Sequence, residues 1–304
     1  MNAHVRKNLI LAARLVALTL VLAVISGIGS QLLPVTATGG EAASMDSAPA
    51  QLTGISTLVI LAILLLQVVA LAIPIVWSRW HGWRLTATIF IVYFGTVTFM
   101  SQIESLVYPG ARISGGLVSG LFAMGLFVAA VFSPIAVFTL GKWRKGAKAA
   151  EVSGTAVNPG RWGWRVAVAG VVFLCLYYLF GYYVAWQDPE LRAYYGGTDP
   201  GSFLAQMGSV ARSTPWMLPL QFARGLLWVG LGLLVIRSMR GAWWRAGLAT
   251  ALLFAVPSLY LLIPNPIMPE FPRITHLIET LPYQFLFGWF LAWFLSGRAR
   301  CRGA

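Results

Sequence analysis

The sequence predicts an all-α, polytopic integral membrane protein with about eight transmembrane helices. Three observations carry that expectation. Hydrophobic residues make up 58% of the chain and charged residues only 10%, against about a quarter charged in an ordinary soluble domain. Mean hydropathy is +0.76. Eight apolar runs, at 9–29, 55–76, 85–107, 115–139, 164–186, 216–236, 246–264 and 277–296, each approach the ~20 residues needed to cross a bilayer.

The first run follows "MNAHVRKN" and precedes "VTATGGEAA". That order also resembles a cleaved signal peptide, but the run from Leu9 is longer than the typical ~7–15 residues of a signal h-region. The later runs are separated by "SRWHGWR", "YPGARISGG", the long basic segment 141–163, "QDPELRAYYGGTDPGS", "RSMRGAWWR" and "PNPIMPEFPR". With the N-terminus placed in the cytoplasm, inner segments hold 16 Lys and Arg and outer segments 4, while eight of the nine acids fall outside. That is the positive-inside pattern. Both termini are therefore expected in the cytoplasm, the chain crossing a plasma or inner membrane.

The basic residues lie between apolar runs and not on one module, so the net charge of +13 does not point to nucleic acid. Cys175 lies in an apolar run and Cys301 in a basic tail, a poor disulfide pair. Tryptophans gather at the inner boundaries, as in an interfacial belt.

Segment 141–163 divides the chain into a first half, 1–140, and a second, 164–304, of four runs each. "WR" at 83–84 and "WR" at 244–245 are followed at equal distance by "RIS" and "RIT", which aligns 83–114 with 244–275 and Arg79 with Arg240. Only four of those 32 positions are identical. Two parallel four-helix repeats and chance similarity between apolar helices both fit.

Charged and amide residues inside such runs are costly and mark protein interiors or aqueous cavities. Arg224 lies eight residues beyond Trp216, about 12 Å into its helix. A buried partner is expected over snorkelling, with Gln221 on the same face. Gln102 and Glu104 close the third run, and Arg273, His276, Glu279 and Tyr283 cluster at the mouth of the eighth. With Thr275 as N-cap, His276 and Glu279 would share a face continued by Tyr283. Together these residues form the candidate polar pocket. Three readings of His276 and Glu279 stand. They form a solvated or Arg273-paired helix mouth, an ion-pair network with Arg224 at a solute or proton site, or a metal or hydrolytic site. The last falls short on ligands, since catalytic zinc usually takes three protein side chains. No phosphate loop, zinc-protease or nucleophile-elbow motif is present, and no metal or cofactor is expected.

The leading functional expectation is a small-solute transporter or permease-like protein with an outward-facing pocket for an anionic or proton-coupled solute. Membrane lipids are its expected partners. The alternatives are a membrane-embedded enzyme using Glu279 or Glu104 as acid–base group on lipid-linked or extracytoplasmic substrates, and a non-catalytic membrane subunit or sensor. The Tyr- and Gly-rich loop after Trp186 is expected to form a short interfacial helix at "DPELRAYY".

Overall fold

The computed structural model describes residues 3–33, 54–107, 115–144, 159–199, 201–264 and 268–296. Among these residues every regular element is helical. Most of segment 141–163, Arg112, Cys301 and the side chain of Glu104 lie outside the described residues.

Seven helices are long and apolar enough to cross a membrane: His4–Leu32, Thr57–Val76, Gly82–Ile103, Gly115–Thr139, Trp162–Ala185, Met217–Ser238 and Trp243–Leu262. The chain is a multi-pass membrane protein. The eighth expected run forms a helix of 27 residues, Glu270–Ser296, but is not among the seven. Its Tyr, Trp, Gln and Pro residues dilute its hydropathy. Its length is about 40 Å, enough to span.

The chain packs as two compact units. Unit 1 comprises 1–148, 238–240 and 262–268, and unit 2 the remainder. Unit 1 contains α1 (Ala3–Gly29), α2 (Gly54–Val76), α3 (Gly82–Phe94), α4 (Met100–Val107) and α5 (Gly115–Thr139). A π-helical turn, Gly95–Phe99, joins α3 to α4. Leu22, Ile75, Leu85, Val92 and Phe132 are fully buried and form its core. Gly125 lets α5 approach the π turn, because a Cβ there would overlap Thr98.

One end of unit 1 is tied by backbone. Ser78 and Met239 form an isolated antiparallel bridge, with Arg79 N donating to Ser238 O at 2.8 Å and Arg240 N to Trp77 O at 3.0 Å. The bridge offset, 239 − 78 = 161, equals the offset of the two "WR" motifs, 244 − 83 = 161. α3 starts at Gly82 and ends at Phe94; α10 (Trp243–Ala255) starts and ends 161 residues later. Lys142 Nζ donates to Ser78 O at 3.0 Å. Burial, and secondarily the Arg240 guanidinium, holds the Lys142 ammonium below its ordinary 10.5.

Unit 2 contains α6 (Pro159–Phe180), which runs into a second π turn at Gly181–Ala185, then α7 (Pro189–Tyr194), α8 (Phe203–Ser213) and α9 (Met217–Ser238). After these come α10, a 3-10 segment at Val256–Leu262, and α11 (Glu270–Ser296). Small residues permit close helix approach, as is usual in membranes. A Cβ on Gly288 would fall 2.7 Å from the Ala251 backbone, and one on Gly225 would fall 3.0 Å from Gly170 O. Aromatic side chains fill the remaining space: Phe173 meets Phe287 at 5.2 Å and Trp228 meets Phe254 at 4.5 Å.

Two outcomes test this packing. Gly288→Ala should destabilise unit 2 by about 1–3 kcal/mol, because the backbone of Ala251 cannot move aside cheaply. Gly230→Ala, whose Cβ meets nothing within 4 Å, should be neutral or gain up to ~1 kcal/mol from helix propensity. Thermal unfolding in detergent reads both. Separately, Lys142 binds its proton less tightly when folded than when unfolded. Stability should therefore rise with pH through the window between its lowered value and 10.5, where the unfolded chain holds more protons. Lys142→Met should flatten that rise.

Candidate functional site: a tyrosine–histidine–glutamate hydrogen-bonded chain in unit 2

The helix carrying the candidate residues begins earlier than the sequence suggested. α11 starts at Glu270, so Thr275 is a buried helical residue and not the N-cap. Pro272 falls in the first turn, where its missing N–H is not needed. Glu279 consequently lies nine residues into the helix, about 14 Å from its start, and is 7% exposed.

His276 and Glu279 share one face. Nδ1 of His276 lies 2.9 Å from Oε2 of Glu279. The other imidazole nitrogen, Nε2, lies 2.8 Å from the hydroxyl of Tyr195. A phenol, an imidazole and a carboxylate are therefore joined by two hydrogen bonds. Glu279 is buried, while His276 and Tyr195 are only partly so. The other carboxylate oxygen of Glu279 faces Gly181, where a Cβ would meet it at 3.4 Å. Gly181 opens the second π turn, an irregularity often found at functional sites.

Tyr195 is held by local structure. Asp188 caps α7 by accepting a bond from Glu190 N at 3.0 Å, with Pro189 next to the cap. Arg192 Nη1 donates to Trp186 O at 2.7 Å. The chain then turns at Gly196, whose φ of +68° suits glycine, and Gly197 N donates to Arg192 O at 2.7 Å. The short helix expected at "DPELRAYY" is present. Its contribution of Tyr195 was not foreseen, and the only sequence signal was the tyrosine-rich character of the loop.

Arg224 is buried in α9 with 3% exposure. Nη1 donates to Gln221 Oε1 at 2.7 Å, and Gln221 Nε2 lies 3.9 Å from Met217 Sδ. The guanidinium carbon lies 5.9 Å from the Tyr177 ring centre, within cation–π range. Tyr177 meets Tyr283 at 6.4 Å, and Tyr283 follows Glu279 by one turn. Tyr177 and Tyr283 thus lie between Arg224 and the turn of Glu279, while the Glu279 carboxyl is hydrogen-bonded to His276. Arg273 is also buried, and its Nη1 donates to Leu261 O at 3.0 Å. It caps the 3-10 segment and does not pair with Glu279.

Gln102 is buried in α4 of unit 1, with Nε2 3.4 Å from Ser101 Oγ. Glu104 is in the same helix. Two buried amides escaped the sequence reading: Gln284, whose Nε2 lies 3.4 Å from the Tyr283 hydroxyl, and Gln67 in α2. A lone Gln in "ILLLQVVAL" was the available signal for Gln67. Among the described residues, no three His, Cys, Asp or Glu side chains gather as metal ligands.

Architecture and polar interior together define a multi-pass helical membrane protein with a titratable hydrogen-bonded chain in unit 2. Comparison with known protein families, curated proteins and solved structures finds no match to this chain.

If the relay acts as one network, its ends are energetically coupled through His276. A double-mutant cycle of Tyr195→Phe and Glu279→Gln, read by unfolding in detergent, should give an interaction energy of roughly 0.5 kcal/mol or more. Simple additivity would mean the two bonds are independent.

Proposed function

We propose that the protein is a proton-coupled small-solute transporter in which Glu279 is the protonated group. The observation that carries this reading is the unbroken Tyr195–His276–Glu279 chain, which runs from partly exposed groups to a buried carboxylate. Chains of this kind are the usual intramembrane proton relays, and imidazole changes charge in the physiological range. Arg224, with Gln221, supplies a buried cation for an anionic group of the solute. The distribution of Lys and Arg supports an extracytoplasmic position for the relay end and eight spans with both termini inside.

Carboxylate, imidazole and hydroxyl in series are also the groups of general acid–base catalysis, which favours a membrane-embedded enzyme as the second reading. Proton flux separates the two. Protein in liposomes containing a pH-sensitive dye, given an inward gradient of the anionic small molecule that co-purifies with it, should acidify the lumen faster than empty liposomes. Glu279→Gln should abolish the excess flux and His276→Gln should slow it. An anionic small molecule that co-purifies with wild type should be lost from Arg224→Gln. Equal flux in wild type and Glu279→Gln would sink the transporter reading. Chemical change in a supplied lipid-linked substrate, dependent on Glu279 and without proton flux, would establish the enzymatic one.

A further inference from the structure

Unit 2 carries an open-sided groove of about 610 Å³ between α6, α10 and α11. Its volume falls within the roughly 300–1,000 Å³ of small-molecule sites. Val172 and Leu176 form one wall, and Trp243, Trp289, Phe290 and Trp293 the others. Trp293 is 51% exposed, so the groove opens on the surface that faces lipid in a membrane. Ordered water needs two to four polar partners, and these walls offer almost none. An empty groove would forfeit dispersion contacts along its whole lining. The occupant that satisfies both constraints is a hydrocarbon chain.

The charge at one end of the groove specifies the rest of that molecule. Arg165, Val172 and Leu176 lie seven and four residues apart, on one stripe of α6. Arg165 is therefore about 10 Å beyond the Val172 end of the wall. Its guanidinium carbon lies 5.9 Å from the Phe294 ring and 5.6 Å from Trp164. Phe294 stacks on Phe290, a groove residue, at 5.2 Å. Arg165 thus sits at the groove end on a continuous aromatic surface. Among the described residues it meets no carboxylate. A guanidinium held by aromatic faces keeps its N–H groups for an oxyanion, the bidentate arrangement that suits phosphate.

We propose that this groove binds one chain of an anionic phospholipid whose phosphate headgroup is held by Arg165. The site is separate from the Tyr195–His276–Glu279 relay and does not depend on the transport reading. Its chemistry is that of basic pockets between membrane helices, which select anionic headgroups.

The test uses the full chain reconstituted in phosphatidylcholine bilayers. Tryptophan fluorescence is quenched by increasing fractions of dibrominated phosphatidylglycerol or dibrominated phosphatidylcholine. For wild type, half-quenching of the accessible fraction should need about fivefold less of the anionic lipid, the preference one basic residue confers near a membrane surface. Arg165→Gln should remove the preference and Arg165→Lys should retain most of it. Val172→Phe, which fills the groove and leaves Arg165 in place, should also remove it. Equal quenching by both lipids in wild type would reduce the groove to ordinary annular surface. A preference that survives Arg165→Gln or Val172→Phe would place the anionic lipid elsewhere. Either result overturns the proposal.

Discussion

The contact of Gly288 with the backbone of Ala251 sets the geometry on which unit 2 depends. It brings α11 against α10 as closely as two helices can lie, and Gly247 against Trp289 extends the seam along the pair. Without a hydrophobic driving force between helices in lipid, such close backbone contact is a principal source of association. α11 is also the helix that carries Arg273, His276, Glu279 and Tyr283. One face of it is pinned to α10, and the polar face is directed by the same contact towards the π turn of α6. The aromatic groove borders that seam, because Trp289, which lies against Gly247, also forms part of the groove wall.

Polar groups are placed in this protein by departures from regular helix. Both π turns begin at glycine, Gly95 and Gly181, and the second lies against the Glu279 carboxylate. Pro282 interrupts α11 one turn beyond Ile278, releasing that residue's carbonyl from the helical ladder next to Glu279. The carboxylate therefore sits where backbone regularity is broken on two sides. Irregular backbone at membrane depth is tolerated only when buried in protein or beside water, which links the relay and the local distortions as parts of one polar interior.

Much of the architecture was legible in the sequence because apolar length is a strong constraint: seven of the eight expected runs are helices apolar enough to span. The last run lost that status to Tyr283, Gln284 and its tryptophans. These dilute hydropathy but are the residues the interior needs. α11 starts before the expected cap at Thr275, inside the segment "PNPIMPEFPR" expected to separate two runs, because Pro272 in a first turn is compatible with helix. Burial of Arg224 followed from its depth in the run. Its neighbour Tyr177 did not, since nothing local tells a membrane tyrosine which ring or cation it will meet. Tyr195 and His276 are 81 residues apart, and no pattern in either segment announces the other. That His276 and Glu279 share a face was readable, because three-residue spacing on a helix decides it; their bond to each other was not among the expected pairings.

The bridge between Ser78 and Met239 has a consequence for biogenesis. Unit 1 includes residues 238–240 and 262–268, which the ribosome delivers only after the helices of 159–237. Lys142 and the turn at Trp77–Gly82 must wait, already inserted, for a backbone partner made much later. Until then Arg79 N and Trp77 O are without their contacts to Ser238 O and Arg240 N. A truncated product lacking residues beyond 237 would be without the acceptor for Arg79 N and the donor to Trp77 O that close unit 1.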